Sequence, residues 1–192
     1  ILHDLDEAKA YKKNHPETLL AGERMGAIVE GFDYGNAVHV VKDADFTGKN
    51  MVLCTTNGSR GVQLATQADE ILLGSFPCLE ATAKYILQKQ PDVVTVVAMG
   101  EKRGGPFVHS LEDEECAIAL KDLLEGKEIN LEEIYKKIKE APASDRFRDE
   151  SMPQFPLVDL DLCLPTEQFG FVMKIFKENE HYVTRAVKVE DA

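Results

Sequence analysis

Residues Cys54 to Gly61, CTTNGSRG, place two threonines, a serine, an asparagine and an arginine between the apolar runs Met51-Val52-Leu53 and Val62-Gln63-Leu64-Ala65. Successive N–H groups around Asn57, Gly58 and Ser59 can converge on the oxygens of an anion, with the next helix presenting its positive end. Thr55, Thr56 and Ser59 add hydroxyls, and Arg60 adds a planar fork for two oxygens. The glycine spacing fits neither the P-loop nor the dinucleotide pattern, and no lysine follows. The same residues also suit an Asn-Gly turn in which Ser59 only caps a helix. Composition leaves the two readings open.

Two carboxylates could serve such an anion. Glu23 and Glu101 each follow an apolar run and a glycine, the pattern of a residue just past a buried strand. Ligands of open α/β sheets gather at that edge, and carboxylates there can hold magnesium, which takes oxygen ligands and keeps several waters. The alternative is surface pairing, Glu23 with Arg24 and Glu101 with Lys102 or Arg103. The acidic run Glu112 to Glu115 lies where acids complement a helix dipole; the sharper reading sets Glu112 or Asp113 near a cation. Asp33 and Asn36, between Gly31 and Gly35, suit a turn or an active-site loop. The four cysteines are scattered and no histidine has a local partner, so a serine or cysteine hydrolase is not supported.

The elements that must position these groups can be read from periodicity. Helices are expected over 5–13, 62–67, 79–89, 110–124 and 130–141, and strands over 18–21, 51–55, 70–73 and 92–99. The run 92–99, DVVTVVAM, is β-branched and almost wholly apolar, as a central parallel strand should be. Ser110 and Asn130 open their helices with capping signals. Residues 171–176 and 182–189 read as a hairpin around Lys177–Glu180, and residues 143–154 as a polar loop. Alternating strands and helices argue for a mixed, largely parallel sheet covered on both faces, an α/β/α three-layer domain over 1–192 with a C-terminal hairpin. LLAGERMG (19–26) and VVAMGEKRGG (96–105) echo each other, and a structural duplication is one reading of that.

At 192 residues, 44% apolar and 29% charged, the chain has the composition of a globular domain with a full core. A net charge of −12 argues against nucleic acid, which demands a basic footprint. No apolar run is long enough to span a bilayer. Scattered cysteines point to a reducing cytoplasm.

Taken together, LLAGERMG, GFDYGN, TTNGSRG, the GSF at 74–76, the Gly-Glu at 100–101 with the later EDEECA, and DLCL near the C-terminus resemble the 2-phosphosulfolactate phosphatase family. The resemblance implies an α/β three-layer fold, Mg²⁺, and hydrolysis of a phosphate monoester on a small sulfonated or carboxylated acid. It also implies a site built from Glu23, Arg24, Asp33, Asn36, Glu101, Glu112, Asp113 and the loop residues Thr55, Thr56, Asn57, Gly58, Ser59 and Arg60. Within that set our own assignment takes Glu23 and Glu101 as metal ligands, Arg24 and the loop as the phosphate and substrate contacts, and Asp33, Asn36, Glu112 and Asp113 as catalytic groups.

Three features depart from the family pattern. No counterpart of its early Asp-Val-Leu-Arg-Ala-Thr strand is present, so the expectation is a chain that starts roughly fifty residues into the family domain. Pro77 and Cys78 stand where a Leu-Asn pair is usual, and Asn36 is followed by Ala37-Val38 rather than Ser-Pro. The reading is a cytoplasmic Mg²⁺-dependent phosphatase for 2-phospho-3-sulfolactate that binds neither nucleic acid nor membrane, with a homodimer an open option. Arg24 or Arg103 would hold the distant sulfonate or carboxylate. Attack by a metal-activated water is preferred over attack by Asp33. An enzyme for another phospho-acid and a non-catalytic anion sensor are the alternatives.

Overall fold

Local sequence sets most element ends. Asp4 caps α1 (Leu5–Asn14) by accepting the Asp6 and Glu7 N–H groups, and Asn130 caps a later helix through the Glu133 N–H. Between them the computed structural model, which describes residues 1–101, 108–164 and 169–190, orders the chain as follows. Strands β1 (Leu19–Arg24) and β2 (Ala27–Ile28) precede the short α2 (Val38–Val41), β3 (Met51–Cys54), α3 (Gly58–Leu64), β4 (Ile71–Leu73) and α4 (Leu79–Lys89). Then come α5 (Leu111–Leu124), α6 (Leu131–Glu140), a 3₁₀ segment (Pro142–Phe147), α7 (Leu157–Cys163), β5 (Phe171–Glu178) and β6 (His181–Lys188).

The fold is mixed α/β with the expected C-terminal hairpin, but its strands form two sheets rather than one largely parallel sheet. In the first, ordered β2-β1-β3, β1 and β3 run parallel with Leu19 opposite Met51 and Gly22 opposite Cys54. The chain turns from β1 into β2 through Met25 and Gly26, both at positive φ; that pair of conformations makes the two-residue hairpin turn matched to strand twist. The second sheet, β4-β5-β6, is wholly antiparallel. Among the described residues, β1–β3 is the one parallel strand pair.

The missing link is 92–99. Against the sequence expectation it forms no strand, and three of its four valines lie open, Val93 78% and Val97 66% exposed. β-propensity favours an extended chain, but a strand exists only through cross-strand bonding and burial, and no described strand runs alongside. Val94 and Val96 border a groove of about 650 Å³ shared with α4 and α5. The run is anchored at Val96, which packs against the core of α4, α5 and α6, and at its end, where Met99 lies against Gly61; a Cβ on Gly61 would stand 2.6 Å from the Met99 sulfur. The expected echo of 19–26 therefore fails over 96–99, and its remainder runs into residues outside the described set.

Two other boundaries shift. β1 continues through Gly22 instead of stopping there, and α3 starts at Gly58 rather than Val62, so Gly58, Ser59 and Arg60 form its first turn. The core is divided accordingly. α1 packs Ala8 onto Leu20 and Val52 of the first sheet and onto Phe32 in the loop after β2, while Phe76, Leu79, Ala83, Leu120, Tyr135 and Ile138 join α4, α5 and α6. The other side of α4 meets the second sheet through Ala81, Tyr85 and Val172. Among the described residues, no helix is long and apolar enough to cross a membrane.

Candidate active site

The carboxyl ends of β1 and β3 meet at Glu23. This side chain is buried, and both its oxygens are engaged: Oε1 accepts the Thr56 N–H at 2.8 Å and Oε2 the Gly26 N–H at 3.0 Å. Glu23 thus fixes both the loop after β3 and the turn after β1. The loop is further closed on itself. Thr55 donates its N–H to Ser59 Oγ at 2.9 Å, and Ser59 returns its N–H to Thr55 Oγ1 at 3.2 Å. Ser59 is buried and serves this closure; it lies inside α3 rather than at its cap, which is Asn57.

What the loop leaves unbonded is informative. Thr56 Oγ1 and Asn57 Oδ1 are buried without a hydrogen-bond partner among the described residues. Each such group costs about 1–3 kcal/mol unless something satisfies it, and native interiors keep few of them. Asn57 also makes no side-chain cap bond to α3.

A second cluster stands beside the first. Gly100, at φ +68°, donates its N–H to Asp113 Oδ2 at 2.9 Å, so this first-turn side chain of α5 is turned toward the Gly100–Glu101 turn, and Ser110, the expected cap, makes no side-chain cap bond. Glu101 pairs with Arg146, whose Nη1 lies 3.0 and 3.3 Å from its two oxygens. The Arg146 guanidinium lies about 5 Å from the ring centres of both Phe147 and Phe155. Phe155 in turn lies on Gly26, where a Cβ would be 2.3 Å from its ring. Two contacts, Met99 on Gly61 and Phe155 on Gly26, therefore tie the Glu101–Arg146–Asp113 cluster to the loop and the β1 turn.

The second cluster is crowded with negative charge. Burial, and then the charge of Glu112, push the Asp113 carboxyl up to about 6, with Glu101 and Glu114 adding to the effect. A carboxyl raised in the folded state stabilises the fold below its ordinary value of 3.8 and loses that contribution as pH climbs through 6. Asp113→Asn keeps an oxygen for Gly100 and removes the charge. Its melting temperature should match wild type near pH 4 and exceed it by roughly 2–5 °C at pH 8, measured by calorimetry across that range. An equal offset at every pH would contradict this.

Comparison with known proteins places the chain in a family. The profile of the 2-phosphosulpholactate phosphatase family matches residues 1–152. The chain belongs to this family. A probable 2-phosphosulfolactate phosphatase of Synechococcus is 37% identical over 123 residues, covering 63% of this chain and 48% of that protein. One of Clostridium perfringens is 33% identical over 135 residues, 70% of this chain and 53% of its own length. Another of Bacillus subtilis is 25% identical over 181 residues, 94% of this chain and 77% of its own. The chain thus spans about half the length of the first two.

Against the site expected for a 2-phosphosulfolactate phosphatase, the structure brings Glu23, Thr55, Thr56, Asn57, Gly58, Ser59 and Arg60 together, with Glu101, Glu112 and Asp113 in the adjoining cluster. It does not bring in Asp33. That carboxylate accepts the Leu20 N–H at 2.7 Å and Lys12 Nζ at 3.1 Å. The Leu20 bond above all, then Lys12, holds it below the usual carboxylate range. Leu20 precedes Glu23 by three strand residues, roughly 10 Å. Asn36 lies exposed, two residues before α2. Arg24 is turned inward, its Nη1 donating to the Glu23 and Cys54 carbonyls and its Nη2 to the His3 carbonyl; it straps the N-terminal segment to β3. Lys102 and Arg103 lie outside the described residues.

Two groups were missed by sequence reasoning. Arg146 sat in a stretch read only as a polar loop, with no periodic or spacing signal to single it out. The histidines were read as lacking local partners; His39 Nδ1 lies 3.0 Å from both oxygens of buried Asp159, 120 residues away and beyond the reach of that reading, while exposed His109 pairs with Glu114 five residues on, against it. Asp159 also accepts the His39 N–H at 2.8 Å, tying α7 to α2.

Proposed function

We propose that this chain carries the site of a Mg²⁺-dependent phosphatase that converts 2-phospho-3-sulfolactate and water into 3-sulfolactate and phosphate. The observation that carries the reading is the Thr55–Arg60 loop, fixed by buried Glu23 and holding unsatisfied polar atoms at Thr56 and Asn57, in a chain of this family. N–H groups of the loop and Arg60 would face the equatorial phosphate oxygens, where charge grows in the transition state.

Among the described residues, no group of three or more His, Cys, Asp or Glu side chains is placed to hold a metal ion. Magnesium does not need one, since it commonly binds one or two carboxylates, waters and a substrate phosphate. Glu101 and Glu23 are the carboxylates that would hold it, Glu23 through lone pairs left beside its two N–H bonds. Burial first, and then repulsion from Glu112, raise Asp113, and a nearby cation would relieve the repulsion. Bound there, the ion would polarise the phosphoryl group and lower the pKa of a water. With Asp33 engaged at Leu20, water is the nucleophile of this reading. The reading also has one three-layer α/β/α domain, in the cytoplasm and free of nucleic acid, with a homodimer still open.

The test is phosphate release from 2-phospho-3-sulfolactate with Mg²⁺ and with EDTA. Release in Mg²⁺ that EDTA abolishes is expected, and Glu101→Gln should lower it by at least about 100-fold. Binding of the sulfolactate without release in either condition would favour the anion sensor instead.

A further inference from the structure

The geometry points to Arg146 as the residue that reads the acidic end of the substrate, the sulfonate or carboxylate beyond the phosphate; this rests on the phosphatase reading above. Arg146 is held as a ligand-binding arginine is held. Its side chain is 15% exposed, and two aromatic rings fix the guanidinium. Such packing strips water from a cation while leaving its in-plane donors intact.

Those donors are incompletely used. A guanidinium has five N–H groups, and among the described residues its hydrogen bonds run from Nη1 to Glu101 alone. The edge formed by Nε and Nη2 is the one that grips two oxygens of one anion side by side. Here Nε is buried without a partner. Nη2 has Glu112 Oε1 at 3.8 Å, too far for a hydrogen bond. An oxygen of a bound sulfonate or carboxylate would stand in front of Nη2, in the gap that Glu112 does not close.

Position agrees with chemistry. Glu101 on one side and the Phe155–Gly26 contact on the other set Arg146 beside the loop assigned to phosphate. Of the arginines first expected in this role, Arg24 spends its donors on backbone carbonyls, and Arg103 lies outside the described residues. Arg146 also brings a positive charge to a substrate that is otherwise met by Glu101, Glu112 and Asp113.

The test compares wild type with Arg146→Lys, which keeps charge but loses the fork, and Arg146→Met, which loses both. Each is assayed with 2-phospho-3-sulfolactate and with p-nitrophenyl phosphate, an ester lacking the second acid. kcat/KM should fall roughly 10–100-fold further for the sulfolactate ester, chiefly through KM. Calorimetric binding of 3-sulfolactate should weaken by a similar factor, while binding of inorganic phosphate changes by less than about threefold. Equal losses on both esters and both anions would overturn the proposal and leave Arg146 a positioning residue for Glu101. The binding arm needs no turnover. Arginine-dependent sulfolactate binding by an inactive protein would sustain this assignment while the phosphatase reading fell, and absent binding would end both. Should Arg146→Met fail to fold, Arg146→Lys decides.

Discussion

Replacing Gly22 by alanine is expected to cost this protein its cooperative fold. A Cβ at position 22 would stand 2.1 Å from the Cys54 carbonyl oxygen and 3.0 Å from its carbonyl carbon, with a Phe32 ring carbon at 3.1 Å. The first two atoms are backbone and cannot rotate away. Gly22 and Cys54 are ladder partners in the parallel pair β1–β3, so relief requires the strands to part at that rung. The Cys54 carbonyl also accepts from Arg24, and the residues beyond the rung are Glu23 on one strand and Thr55 on the other. Forced overpacking of a rigid neighbour costs about 3 kcal/mol or more, a large share of the roughly 5–15 kcal/mol that holds a typical domain. Gly22→Ala should therefore melt at least about 6 °C below wild type, or show no cooperative transition. Gly74→Ala is the control, because nothing lies within 4 Å of a Cβ there, and it should stay within about 0.5 kcal/mol of wild type. A Gly22→Ala protein melting like the control would mean that β1 and β3 are spaced differently from the description above.

The same rung shows what could be read in advance. The alternation of apolar runs and helix formers located most of the helices and the hairpin, because those depend on local periodicity and caps. It located Glu23 at a strand end, and it identified the loop after β3 by composition. Tertiary partners were not legible. The run 92–99 has the composition of a central strand, but composition cannot supply the neighbour that makes one, and the strands divide into two sheets instead. Asp33 looked available for chemistry because the donors that engage it were invisible: the Leu20 N–H that holds it arrives from 13 residues away. Arg146 and the His39–Asp159 pair were missed for the converse reason. Their partners lie 45 and 120 residues distant, and neither separation leaves a trace in spacing. The glycines of AGERMG carry more than flexibility. Gly22 admits a carbonyl, and Gly26 admits both a positive φ and the Phe155 ring.

Glu23 offers the second large effect, and it separates two roles. Glu23→Ala removes the acceptor for the Thr56 and Gly26 N–H groups at once. Two buried donors without partners cost about 2–6 kcal/mol together, so the urea midpoint should fall with little change in slope. The freed Thr56 backbone should lower kcat/KM by at least about 100-fold, the scale on which loss of loop positioning acts. Glu23→Gln is not a neutral substitution here, since its NH₂ must face one of two N–H donors; about half the stability loss should remain. The amide variant also tests the metal assignment. If Glu23 contacts magnesium directly, half-saturation in Mg²⁺ should rise more than about tenfold, because a charged oxygen ligand has been replaced by a neutral one. If Glu23 acts only by fixing the Thr56 N–H, kcat should fall while half-saturation holds, and Glu101→Gln alone would move the Mg²⁺ requirement. The dual engagement of Glu23 makes the difference measurable. An oxygen that already holds a backbone donor can share its second lone pair with a cation only if loop and cation bind together. In that case Mg²⁺ should raise the melting temperature of wild type and lose most of that effect in Glu23→Gln.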